Sequence, residues 1–396
     1  MLNLDELLRK QAEKVFDYRP SIFNFALEVD REKAKGLFDV GDVKYSSDDY
    51  EEQQRELYGV NNPPKVYQPD FEKEFKQYFE KLCHEQPIWQ HGRWVFYPWR
   101  SALVHILSEE EFWQIRTARN RNLISKTEQQ KFYRAVVGIG GLSVGNSVAM
   151  ALVLQGGAKH IKLADHDHLA LSNTNRILTS ITNLGLRKVE MAARQIYELN
   201  PYAEVELYPD GLTADNIKRF FSEPKLDIVI DELDNLAVKY LIRVEAKKCH
   251  LPVVMAADNG DNAVVDIERY DLEPQPEFFH GRMGEVSYEM LKNLDKFGIG
   301  KMITKHIGPE NVTTKMQESL LEMGKTIVSW PQLGGAALIN GSAVAYCVRR
   351  ILCGQSLEPN RSLISLDEKL LPDYHSPESI KKREAVALGF RKNFEL

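Results

Sequence analysis

Paired cysteines are missing. The four cysteines, Cys83, Cys249, Cys347 and Cys353, form no CxxC. That spacing speaks against a disulfide scaffold and a cysteine-based zinc site, and it fits a reducing compartment. Long apolar runs are missing too. The longest spans residues 148–154, far short of the ~20 residues a membrane span needs. The first apolar pattern is interrupted by Asp5, Glu6, Arg9 and Lys10, so no secretory signal is read there. Nor is there an excess of one charge. With 51 basic and 57 acidic residues the net is −6, which asks for neither a nucleic-acid groove nor an anionic membrane. Internal repeats and low-complexity blocks are absent as well. What remains is the profile of a soluble, cytoplasmic globular protein. Its 396 residues, 43% of them hydrophobic, suggest two or three domains at about 150 residues each.

Residues 1–108 read as an N-terminal accessory domain, a candidate for substrate recognition. A helical pattern opens it on Leu4, Leu7, Leu8, Ala12 and Val15. A second helix is expected at 71–82 and a strand pair at 94–97 and 102–107. Trp89, Trp94, Trp99 and Trp113 cluster here. A small core filled by large rings is the favoured reading, and a groove for an extended partner is the sharper alternative. Residues 109–131 read as a polar linker helix bearing Arg116, Arg119 and Arg121.

From 132 to 270 the pattern alternates. Strands are expected at 134–139, 160–164, 203–208, 226–230, 253–257 and 262–270, and helices at 145–155, 186–199, 213–222 and 236–249. That rhythm means an α/β fold with a doubly wound, mainly parallel sheet, to which the last strand adds antiparallel pairing. A crossover segment, irregular or weakly helical, follows at 271–329. A closing helix from Trp330 to Cys353, with Gly354 as its C′ residue, and a polar tail complete 330–396.

The chemistry starts at Gly138-Ile139-Gly140-Gly141-Leu142-Ser143-Val144-Gly145, between a strand and a helix. Glycines let the backbone turn sharply and approach a phosphate, and a helix N-terminus favours an anion. Asp165 ends the next strand, 20 residues after Gly145, where a carboxylate can accept from a ribose hydroxyl. These features fit a nicotinamide enzyme and an ATP enzyme equally well. The next stretch, Leu171-Ser172-Asn173-Thr174-Asn175-Arg176, separates them. Amide and guanidinium donors past a strand's carboxyl end suit a triphosphate whose α-phosphorus is attacked. Lys188 opens a helix, where its charge opposes the macrodipole unless a polyphosphate lies beside it. In isolation it reads as a solvated surface lysine. Asp234 or Asn235 follows the fourth strand, as a Mg²⁺ ligand or a helix cap. Asp165-His166-Asp167-His168 looks metal-like, but a dedicated transition-metal site is not the favoured reading.

Together these motifs resemble the adenylating fold of the ThiF/MoeB/HesA and ubiquitin-activating-enzyme superfamily, over roughly half the chain. The resemblance rests on Gly-x-Gly-Gly, Asp-x-Asp followed by Ser-Asn-x-x-Arg, Gly-x-x-Lys before Ile196-Tyr197-Glu198-Leu199-Asn200-Pro201, and Asp234-Asn235. It implies ATP and Mg²⁺ as cofactors. Gly138, Gly140 and Gly141 would line the phosphates, with Asp165 on the ribose. Ser172, Asn173, Arg176 and Lys188 would lie along the phosphates, with Asp234 on Mg²⁺ beside Asn235. Arg119 or Arg121 would be an arginine finger, which leans toward a homodimer. The implied reaction adenylates the carboxylate of a protein, peptide or small molecule, releasing pyrophosphate.

Departures bear on the last step. Ser143 stands where a third loop glycine is common, and Ile177 where glutamine is. No structural zinc is expected without CxxC pairs. Residues 259–346 hold no cysteine, so a thioester relay is not expected, and Cys249, Cys347 and Cys353 read as buried structural thiols. The rivals are an NAD(P)-dependent oxidoreductase, which leaves Asn173, Arg176 and Asp234 without a role, and a non-catalytic partner subunit, which the retained phosphate and metal contacts disfavour.

Overall fold

The computed structural model describes Leu4 and residues 17–396. Apart from Leu4, the expected first helix lies outside the described residues. The chain divides into two compact units. One is Met1–Ser125 with Tyr197–Tyr202; the other is Lys126–Ile196 with Ala203–Leu396. The second unit therefore takes in the crossover and closing segments together with the alternating strands and helices.

The N-terminal unit holds a four-stranded sheet of β1 (Ser21–Phe23), β2 (Tyr45–Asp48), β3 (Arg93–Tyr97) and β4 (Ala102–Ile106), in the order β1-β3-β4-β2. The expected strand pair is β3 and β4, antiparallel. β1 and β2 escape the sequence reading because they are short and β2 is exposed along its whole length. Rings fill the core: Phe23, Trp94 and Phe96 pack with Leu103 and Ala34. His105 lies between Tyr50 and Trp94, with ring centroids 4.1 and 4.4 Å away. Its Nδ1 faces Asp48 Oδ1 and its Nε2 faces the His91 carbonyl, each at 2.8 Å.

The expected linker helix is broken. A helix at Glu109–Arg116, closed at its start by a Ser108–Glu111 capping box, gives way to one 3-10 turn at Ala118–Asn120. Asn122 then takes φ 72°, a left-handed conformation that no α-helix accommodates. The next helix, Lys126–Arg134, belongs to the second unit.

That unit is built on seven strands. β5 (Val136–Gly140), β6 (His160–Ala164), β7 (Glu204–Tyr208), β8 (Ile228–Asp231) and β9 (Pro252–Asn259) run parallel, and β10 (Asn262–Arg269) and β11 (Arg361–Ile364) add antiparallel pairs. The order is β11-β10-β9-β8-β5-β6-β7, the doubly wound, mainly parallel arrangement expected. Its central strands are largely apolar (Val137, Ile139, Ile161, Leu163, Val229, Ile230), as burial on both faces favours, with Lys162 of β6 and Asp231 of β8 as buried charged exceptions. The helices Val144–Leu154 and Gly334–Leu352 pack against each other, and Gly334–Leu352 also packs against β9 and β10. Ser147 lies against Gly341, where a Cβ would come within 2.7 Å. Leu236–Cys249 and Ile217–Ser222 close a core of Phe220, Phe221, Leu226, Ile242 and Tyr270. The closing helix starts at Gly334, four residues later than its apolar pattern, and Gly354 ends it at φ 70°. In the crossover segment, Tyr288–Lys292, Lys296–Ile307 and Thr314–Leu321 are helices, capped by Ser287, Asp295 and Thr313. No helix among the described residues is long and apolar enough to cross a membrane.

Candidate active site

Strand register sets the site. Gly140 lies level with Ala164 of β6 and Asp231 of β8, so the residues after each strand meet at one edge of the sheet. Ligands bind at that carboxyl edge in open α/β sheets.

The glycines divide their work. At Gly141 φ is +84°, and a Cβ would fall 2.2 Å from the Glu232 carbonyl oxygen; only glycine fits there. Its N–H donates to the Ala164 carbonyl at 2.8 Å. Gly138 was expected among the nucleotide-binding residues. Its side-chain position instead faces Leu226 and Phe220 at 2.7 and 2.8 Å, so core packing accounts for that glycine. At Gly140 a Cβ would meet Leu233 at 3.2 Å.

Asp165 is buried and ties the loop to β6. Its Oδ2 accepts from Leu142 N at 2.7 Å, and its Oδ1 from Asp167 N at 2.8 Å. Lys188 is not a solvated lysine: it is 5% exposed. Its Nζ lies 2.7 Å from Asp167 Oδ2 and 3.8 Å from Asp165 Oδ2. Burial acts to raise the Asp167 carboxyl, but the hydrogen bond and charge of Lys188 hold it below its ordinary value. Asp165, His166 and Asp167 each offer a ligand atom, all within 4.8 Å of one another, but Asp165 already accepts two backbone N–H groups.

The loop after β6 brings the predicted donors to this edge. Asn173 Oδ1 accepts from Ala170 N at 3.0 Å. Arg176 donates through Nε to Ser143 Oγ at 2.8 Å and through Nη1 to the Ser172 carbonyl at 3.3 Å and Asn175 Oδ1 at 3.0 Å. Among the described residues its Nη2 has no hydrogen-bond partner. Ser143, read from sequence only as a departure, thus steers the guanidinium toward the glycine loop. Past β8, Asn235 caps Leu236–Cys249 by accepting from Ala237 N and Val238 N. Asp234 is exposed and takes no part in the cap. Asp231, at the base of this turn, is buried and paired with Lys239 at 3.2 Å and Arg243 at 2.5 Å.

Arg119 and Arg121 belong to the N-terminal unit. Both are exposed, Arg119 in the one-turn 3-10 segment and Arg121 in extended conformation. Arg116 is used internally, donating to the Leu199 carbonyl. Burial raises all four thiols above their ordinary value, Cys347 to about 11. Sequence reasoning missed Asp258, Gln332 and Asn340. They are far apart in the chain, and no local motif joins them.

Residues 117–268 match the model of the ThiF family. The chain carries a ThiF-family domain. It is 36% identical over 278 residues to the uncharacterized protein MT1398 of Mycobacterium tuberculosis, covering 70% of this chain and 38% of that one. It is 33% identical over 153 residues to the tRNA threonylcarbamoyladenosine dehydratase of Escherichia coli, covering 37% of this chain and 55% of the relative. With the sulfur carrier protein adenylyltransferase of Thermus thermophilus the identity is 30% over 160 residues, covering 39% and 55%. The chain thus spans about two fifths to just over half the length of these relatives. The crystal structure of the Escherichia coli dehydratase TcdA superposes with a TM-score of 0.43 at 19% identity, covering 61% of this chain and 95% of that one.

Proposed function

We propose that the ThiF-family domain adenylates a substrate carboxylate with Mg-ATP. The observation that carries this reading is Arg176, held by Ser143, Ser172 and Asn175 beside the glycine loop. A fixed guanidinium there stabilises charge on the α-phosphate as it is attacked. In the reaction a substrate carboxylate oxygen forms a bond to the α-phosphorus. The bond from that phosphorus to the bridging oxygen breaks, and pyrophosphate departs with the electron pair. No proton is transferred in this step. The chain's part is positioning and charge placement.

Gly140 and Gly141 present backbone to the phosphates, with Asn173 and Arg176 as donors and Lys188 behind the loop. Each Asp165 oxygen keeps a lone pair for a ribose hydroxyl after its backbone bond. Asp234 would hold Mg²⁺, which neutralises phosphate charge when bound. Its fit is supported by the cap, which uses Asn235 and leaves the Asp234 carboxylate to solvent. Four thiols pushed away from the thiolate form support transfer directly from the acyl-adenylate to an incoming nucleophile, without a cysteine thioester. One of Arg119 and Arg121 serves as an arginine finger in a homodimer, and the protein acts in the cytoplasm on a protein, peptide or small-molecule acid.

Pyrophosphate exchange against a panel of carboxylates and candidate carrier peptides tests the reaction. Calorimetry with Mg-ATP and NAD tests the nucleotide: micromolar NAD affinity without ATP binding refutes the reading.

A further inference from the structure

Arg176 is held at the end of a chain of hydrogen bonds that starts on another strand. Asp258, one residue before the end of β9, is 5% exposed. Its Oδ1 accepts from Asn340 Nδ2, and its Oδ2 from Gln332 Nε2 at 3.1 Å. A buried carboxylate needs such donors. Gln332 lies in the strap that leads into the closing helix, and its carbonyl accepts from Asn175 Nδ2 at 2.8 Å. Two residues on, a Cβ at Gly334 would fall 2.6 Å from the Asn175 carbonyl oxygen. The strap therefore lies directly on the backbone of Asn175, whose side chain accepts from Arg176 Nη1.

We propose that Asp258 is a positioning residue for the phosphate-binding arginine, acting through Gln332 and Asn175; this rests on the adenylation reading above. The chain Asp258–Gln332–Asn175–Arg176–Ser143 ties β9 to the glycine loop across the site. It holds two faces of the guanidinium, Nε and Nη1, and leaves Nη2 for the nucleotide. The charges around Asp258 are consistent with that position. Burial raises its carboxyl, Arg176 opposes the rise and Asp234 adds to it, so the arginine and the proposed metal ligand both lie within its field. Glu232, raised mainly by its own burial, feels Asp258 as well. The bland alternative is a latch that only fastens the closing helix to β9. Such a latch affects stability but not the phosphate-dependent part of nucleotide affinity.

The two are separated by measuring Mg-ATP and adenosine binding by calorimetry on the full chain. In Asp258→Leu we expect ATP to bind about tenfold more weakly, the loss of one charge-assisted contact, with adenosine unchanged within about twofold. Asp258→Asn should recover most of the loss, because its amide accepts from Asn340 and donates to Gln332 once that side chain turns over. In an Arg176→Ala background, Asp258→Leu should weaken ATP no further. Gln332→Ala cuts the same chain at a half-exposed position and should reproduce the ATP defect if Asp258→Leu does not fold. Equal loss for ATP and adenosine, or an undiminished effect without Arg176, overturns the proposal. Failure of the unmodified chain to bind Mg-ATP overturns the adenylation reading itself, and the proposal with it.

Discussion

Arg243 is the largest fully buried side chain among the described residues. It is fully buried, with Nη1 2.5 Å from Asp231 and Nη2 2.7 Å from Glu268, and its guanidinium sits 4.1 Å from the Phe279 ring centroid. Arg243→Met keeps the stem and removes the charge. Two buried carboxylates then lose a partner, but neither is stripped bare. Asp231 keeps Lys239, and Glu268 keeps the Tyr270 hydroxyl at 2.6 Å and Phe279 N at 2.7 Å. Breaking a buried ion pair costs ~3–5 kcal/mol. The remaining partners argue for the lower end, and the lost cation–π contact adds about 1 kcal/mol, so about 4 kcal/mol is expected. For a unit of this size that is a drop of about 8–16 °C in Tm, readable by scanning calorimetry at pH 7. The pH dependence has a defined sign. Burial acts to raise the Asp231 carboxyl, yet Lys239 and Arg243 together hold it below its ordinary value. A depressed folded pKa contributes stability above the unfolded pKa and loses it as pH falls through the folded one. Without Arg243 the buried Asp231 carboxylate takes up a proton more readily when folded. The gap between variant and wild type should therefore narrow from pH 7 to pH 5. Asp231→Asn with Glu268→Gln in the same background should recover part of the loss. A gap under about 1 kcal/mol at pH 7, or one that widens on acidification, would refute the reasoning.

Gly141→Ala should abolish nucleotide binding, since the added Cβ meets the Glu232 backbone at 2.2 Å; unchanged ATP affinity would show that the loop can move aside. Asp234→Ala should stop pyrophosphate exchange with Tm nearly unchanged, whereas Asn235→Ala should cost about 1 kcal/mol through the lost cap; the reverse pattern exchanges their roles. Lys162, pushed down to about 8 by burial, donates to the Phe220 and Pro224 carbonyls, each at 2.7 Å. Between pH 8 and the ordinary lysine value the unfolded chain binds more protons, so this residue makes stability rise with pH. Urea midpoints at pH 7.5 and 9.5 should show that rise relative to Lys162→Met. One of Arg119→Ala and Arg121→Ala should slow adenylation by ~10²–10³, and mixing it with Asp234→Ala should restore activity if the finger acts across a dimer; full activity in both single variants removes the finger.

The parallel core was legible because periodicity and burial agree there. The strand expected at 160–164 is β6, and the helix expected at 236–249 is Leu236–Cys249. β11 was not legible: Arg-Ser-Leu-Ile is too short to carry a pattern and becomes a strand only beside β10. The site split in the same way. The motif residues around Gly141, Asp165 and Arg176 share one edge, as their positions after strands dictate. Side-chain duties did not follow from residue type. Sequence could not tell which of Asp234 and Asn235 caps the helix, nor that Lys188 is buried against Asp167. Asp258 and Gln332, 74 positions apart, are joined only by the fold.

The sheet's last edge has a consequence for how the protein is made. β10 ends at Arg269, but its partner β11 begins at Arg361 and the helix covering both β9 and β10 at Gly334. At ~5–20 residues per second of synthesis, roughly 5–20 s pass between the two strands. Throughout that interval Ala263, Val264 and Val265 form an open apolar edge on a nascent chain. Unpaired edges of this kind recruit other strands. A ribosome stall or a stop codon between these strands would therefore do more harm than the count of missing residues suggests. It would release a sheet complete in its nucleotide-facing half and adhesive along its far side.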